Sequence, residues 1–102
     1  MRSIKGLYRS IKKENMVIGK YYGISLRDDI YESSDSCEWM FRFVGFNANG
    51  GSIMSDITYY RDIFGWEYSG DHISILCHDN EIVDGSIRKY SEKEFKEKLG
   101  LR

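Results

Sequence analysis

The sequence predicts a small α+β fold, a five-stranded antiparallel barrel with one helix before it and one after it. Three observations carry this. Ile4, Leu7, Tyr8 and Ile11 recur at the spacing of one helical face. The middle of the chain alternates apolar and polar residues in short runs separated by Gly, Asn and Asp, which is the pattern of strands and turns. Ser91 and Glu94 make the S-x-x-E signature that opens a helix. With 102 residues and 41% hydrophobic content, the chain suits a single domain with a core of its own. Its expected parts are an amphipathic helical extension over 1–15, the barrel over 16–90 and a C-terminal helix over 91–100.

In the first segment Ser3 is the expected N-cap, and Lys5, Arg9, Lys12 and Lys13 lie mostly opposite the apolar face. Gly6 weakens this helix by about 1 kcal/mol relative to Ala, so packing has to hold it. From Met16 the chain reads as a second unit. Val17 to Leu26 is a strand in which Tyr22, Ile24 and Leu26 alternate, and "RDDIYESSDS" is an acidic loop. "CEWMFRFVGFN" is the strongest strand. Trp39, Phe41 and Phe43 point one way and Met40, Val44 and Phe46 the other, so both of its faces are covered.

"NANGG" is a turn. "SIMSDITYY" is a third strand with Ile53, Ile57 and Tyr59 in phase. "RDIFGWEYSGD", closed by Gly65 and Gly70, reads as a loop whose Ile63 and Phe64 anchor it to the core. "HISILC" is a strand, "HDNE" a tight turn and "IVDGSIRKY" the returning strand. Strands this short leave exposed edges in a flat sheet. Curling into an SH3-like barrel removes them, and the last helix then closes one end with Phe95 and Leu99.

Net charge is −1, but it is segregated. Residues 1–20 carry six bases against Glu14. Residues 21–85 carry three arginines against twelve acids, and residues 86–102 six bases against three glutamates. An acidic middle between basic ends excludes a general nucleic-acid coat, whose footprint is a broad basic face. It fits basic segments that pack back on an acidic body. Cys37 and Cys77 make no disulfide framework, and no apolar run is long enough to span a bilayer. The expectation is a cytoplasmic protein with free thiols and no membrane partner.

Gly19-Lys20-Tyr21-Tyr22, Ile87-Arg88 and the stretch Ser91 to Phe95 together resemble small accessory proteins of phages and other mobile elements. In those a short aromatic-rich barrel precedes a capped helix. Here no Pro follows Ser91, and Tyr90 stands where a small residue is usual. The resemblance covers residues 16–99 in outline and supplies no catalytic residues. It implies a phage-encoded protein acting inside a bacterial host cell, often an antagonist of host defence.

Catalysis and metal binding find no complete set of residues. Cys77-His78-Asp79 is the one chemical cluster, but neighbours on a strand diverge, so Cys77 belongs to the core and His78 to the turn. The Gly50-Gly51 pair lacks the Lys-Ser or Lys-Thr of a phosphate loop. No cofactor, no metal and no enzymatic activity are expected.

Binding is better supported, because the aromatics are too many for one small interior. In each Tyr-Tyr pair one ring faces the core and the other faces away. The expected function is that of a non-enzymatic inhibitor that blocks a basic host protein. Trp66, Glu67, Tyr68, Asp62, Asp71 and Tyr60 form the expected partner surface, an aromatic patch in an acidic rim. The alternative is sequestration of a cyclic nucleotide signal by Arg42, Arg61, Tyr21 and Tyr59.

Overall fold

The computed structural model describes residues 10–27, 36–48, 51–62, 64–70 and 72–101. Six strands, β1 (Tyr21–Arg27), β2 (Ser36–Phe46), β3 (Ile53–Asp62), β4 (Gly65–Gly70), β5 (Ser74–Cys77) and β6 (Arg88–Tyr90), precede one α-helix, α1 (Glu92–Leu99). All the strand pairings are antiparallel, in the order β4-β3-β2-β1-β6. β5 shares the outer side of β3 with β4. It pairs with Ile53 to Ser55, whereas β4 pairs with Thr58 to Asp62.

Two expectations change here. Most of the stretch expected as a loop is strand: Arg61 and Asp62 complete β3, Phe64 lies in a turn, and Gly65–Gly70 forms β4, which raises the strand count among the described residues to six. Gly65 (φ 116°) and Gly70 (φ 153°) stand at the two ends of that strand, so they bound a strand where the composition suggested a loop. The second change concerns the start. Most of the expected first helix, 1–9, lies outside the described residues. What is described of it is not α-helical: Ser10 bridges Arg88, Lys12 is extended (φ −81°, ψ 149°), and Lys13–Asn15 makes one 3-10 turn. Ile11 donates its N–H to the Ile87 carbonyl at 3.0 Å and packs on the core, so this stretch borders β6 as extended chain. The acidic loop 28–35 is likewise outside the described residues.

The sheet is strongly coiled, and the register shows why. Cys77 lies opposite Ile53, which pairs with Phe46 at one end of β2. Ile82 bridges Leu26, which pairs with Cys37 near the other end of β2. On a flat sheet those ends are about 30 Å apart along β2 alone. The chain from Cys77 to Ile82 reaches no more than about 17 Å, so the two corners have to curl towards each other. Val83 N–H donates to the Ser25 carbonyl at 3.0 Å, and Ser25 N–H donates to the Ser86 hydroxyl at 3.1 Å, which clips the crossing segment to β1.

Tyr22, Ile24, Leu26, Phe41, Phe43, Ile53, Cys77 and Ile87 fill the inner face, with Met16 closing it. The Tyr22 hydroxyl accepts the Val17 N–H at 2.7 Å, so the buried ring keeps its polar tip satisfied. The other face carries Tyr21, Gly23, Met40 and Tyr59, and α1 lies over it. Phe95 is only 2% exposed, its ring 4.5 Å from Tyr21 and 6.1 Å from Tyr59 between centroids. The helix therefore covers the outer face of the sheet instead of closing an end of the inner core. Strict alternation on β2 fails after Phe43, where register shifts bring Phe46 to within 5.0 Å of the Phe43 ring.

Candidate functional site

The β3–β4 hairpin stands at the edge of the sheet, because β4 is the last strand in the order. Its register sets the placement of each expected partner residue. Tyr59 faces Tyr68, Tyr60 faces Glu67, Arg61 faces Trp66 and Asp62 faces Gly65. Strand alternation then divides the set. Trp66 and Tyr68 share the outer face with Tyr59, and Tyr60 and Glu67 share the opposite one. Asp71 lies outside the described residues. The five described residues are thus gathered on one hairpin, wrapped around an edge, not spread across a single face.

Tyr68 is 51% exposed, Glu67 is exposed and Trp66 is half-buried. The residue that sequence reasoning misplaced is Phe64. It sits in the turn and is 86% exposed, where an anchor to the core was expected. The missed signal was the spacing. Asp62 pairs with Gly65, so the connection between β3 and β4 is short and Phe64 stands at its tip; Ile63, the other expected anchor, lies outside the described residues.

An aromatic row runs from beneath the helix to this edge. Tyr21 contacts Phe95, Phe95 contacts Tyr59, and Tyr59 contacts Tyr68 with centroids 5.0 Å apart. On the opposite face the Trp39 and Tyr60 rings lie 5.3 Å apart between centroids, tilted by 40°. Both Tyr-Tyr pairs do split between the faces, but Tyr21 and Tyr59, the outward members, lie against α1.

The nucleotide candidates also share the outer face. Tyr21 pairs directly with Arg42, and Tyr59 and Arg61 lie farther along the same side. Each arginine is engaged with a carboxylate. Arg42 Nε donates to Asp56 Oδ1 at 2.9 Å and its Nη2 to Oδ2, a bidentate pair. Hydrogen bonding from Arg42 holds the Asp56 carboxyl below its ordinary range, against a smaller opposing effect of burial, and the same pairing raises Arg42. Arg61 Nη1 lies 3.4 Å from Glu38, which Lys98 of α1 also approaches at 3.6 Å.

Concave surface lies elsewhere. A groove of about 700 Å³ is lined by residues such as Ile11, Glu14, Ile82, Asp84 and Ile87. A hollow of about 200 Å³ lies between β4 and β5, beside Thr58, Ser69, Gly70, His72 and Ser74.

Cys77, the last residue of β5, is buried, and His78, just past the strand, is exposed. His78 Nδ1 lies 2.6 Å from the Ser52 hydroxyl, and its backbone N–H donates to Glu81 at 2.7 Å, which fixes the turn after β5. Among the described residues no three His, Cys, Asp or Glu side chains converge as metal ligands. The structure defines a small, mostly antiparallel α+β protein with an aromatic hairpin at its sheet edge. Comparison with family models, curated proteins and solved structures finds no match.

Proposed function

We propose that this is a non-enzymatic binding protein that blocks another protein through the β3–β4 hairpin. The observation that carries this is Phe64, an aromatic ring 86% exposed at the tip of a hairpin. Burying such a ring is favourable, and a hairpin tip presents it with little ordering cost. Tyr68 and Trp66 extend the contact along the outer face and Glu67 extends it on the other, while Asp62 and Asp71 add acidic character in the sequence. Aromatic anchors in an acidic rim suit a basic partner. The resemblance to phage accessory proteins makes a host defence protein the natural target. We further read the coiled sheet as an SH3-like barrel, on the strength of the short crossing from Cys77 to Ile82.

The test is affinity capture from a bacterial lysate, followed by direct titration of the captured protein. Phe64→Ala should weaken that affinity by about 2 kcal/mol or more, with little change in melting temperature because the ring is 86% exposed. Glu67→Lys should slow association most strongly at low salt. Equal affinity of the parent and Phe64→Ala for the captured protein would rule the hairpin out as the contact.

A further inference from the structure

A second apolar surface lies at the turn that leads into β1. Val17 and Ile18 are 50% and 67% exposed, and Phe46, at the end of β2, is 40% exposed. The Ile18 Cδ1 atom lies 3.9 Å from where a Cβ on Gly45 would stand, so the turn and the strand end form one patch. The tip is held rigidly. Lys20 N–H donates to the Val17 carbonyl at 3.1 Å, Gly19 N–H to the Phe43 carbonyl at 2.8 Å, and Phe43 N–H to the Lys20 carbonyl at 3.0 Å. Gly19 takes the positive φ of 89° that the turn requires.

Two lysines border these apolar groups. Lys20, which follows the turn, is exposed, and the Lys13 ammonium sits 5.4 Å from the centre of the Phe46 ring and donates to the Gly51 carbonyl at 3.4 Å. Among the described residues 10–20, Glu14 is the one acid against Lys12, Lys13 and Lys20.

We propose that this patch docks the protein on an anionic bilayer surface. Such an interface takes apolar side chains at the acyl boundary and holds ammonium groups at the lipid phosphates, and lysine stems are long enough to reach both levels. Nucleic acid is the other common polyanion, but it offers Val17 and Ile18 no apolar phase, and neither side chain can stack on a base. An acidic protein would satisfy the lysines, yet it would also need a cavity shaped to a convex turn, which a deformable interface does not. No helix among the described residues is long and apolar enough to cross a membrane, so the contact is peripheral. It departs from the expectation of no membrane partner, which rested on the lack of a spanning segment.

Co-sedimentation tests this with vesicles of phosphatidylcholine alone and of phosphatidylcholine mixed with phosphatidylglycerol. The protein should bind the mixed vesicles and not the neutral ones. Ile18→Asp should lower the vesicle partition constant about tenfold or more. Lys20→Gln should lower it about fivefold at low salt. Circular dichroism checks that each variant keeps the parent's fold, and Ile18→Ser replaces Ile18→Asp if the latter does not. Absence of binding to mixed vesicles, equal binding to both kinds, or retention of full binding by the folded Ile18 variant would each overturn the proposal. So would binding to poly-glutamate with the same dependence on Ile18 and no binding to lipid.

Discussion

Gly23 shows how much a single position can decide. It lies on the face of β1 beneath Tyr90 and Met40, and a Cβ there would stand 2.8 Å from Tyr90 Cε2 and 3.0 Å from the Met40 sulfur. Tyr90 is thus accommodated by a glycine on the neighbouring strand. Gly23→Ala should destabilise by about 1–3 kcal/mol through overpacking. Adding Tyr90→Leu should recover much of that loss, and urea melts of the two single variants and the double variant measure the coupling. Strictly additive losses would show that the glycine serves its own backbone instead of the ring.

At the scale of elements, α1 is the clearest case of local sequence deciding local structure. The Ser91 hydroxyl accepts the Glu94 N–H at 3.1 Å, and Glu94 Oε1 accepts the Ser91 N–H at 2.9 Å. Gly100, at φ 78°, ends the helix in the left-handed region, and Leu101 N–H donates to the Lys96 carbonyl at 2.8 Å. Eight residues make a marginal helix alone, so its position depends on Phe95. Phe95→Ala should cost about 3–5 kcal/mol and Ser91→Ala about 1 kcal/mol, read from urea melts. A Phe95→Ala protein as stable as the parent would mean that the helix is not held on Tyr21 and Tyr59. β4 is the opposite case. Its six residues hold two glycines, a glutamate and a serine, a poor strand by composition, and pairing with β3 overrides that preference.

Across the whole molecule the segregated charge is partly brought back together, because Lys98 of the basic C-terminal segment approaches Glu38 of the acidic middle. Arg42–Asp56 is the pair with a readable pH consequence. Asp56 is lowered from its ordinary 3.8, chiefly by the hydrogen bond from Arg42, so the folded state holds its proton less tightly than the unfolded state does. The stability it contributes is therefore complete above the unfolded value and is lost as pH falls through the lower folded value. Arg42 is raised and stays charged throughout. Asp56→Asn should lower stability near neutral pH and flatten its decline below about pH 4, as measured by urea midpoints across the acid range. An unchanged acid limb would show that the pair contributes nothing.

What the sequence determined by itself was local. The capping box at Ser91, the alternation through Tyr22, Ile24 and Leu26, the divergence of Cys77 and His78 and the splitting of each Tyr-Tyr pair follow from hydrogen-bonding capacity and side-chain period over a few residues, which neighbours in the chain suffice to set. The hairpin that gathers Tyr60, Trp66, Glu67 and Tyr68 was legible as a surface stretch, but its strand was not, because β4 exists through its pairing with β3. Only the tertiary structure decided that Phe64 faces solvent, that Trp66 and Glu67 look opposite ways, that residues 10–12 run extended beside β6, and that α1 covers the outer face of the sheet. Each of these depends on register or on coiling. Those properties are fixed by which distant strands meet, and the composition of a segment carries no record of the partner it will meet.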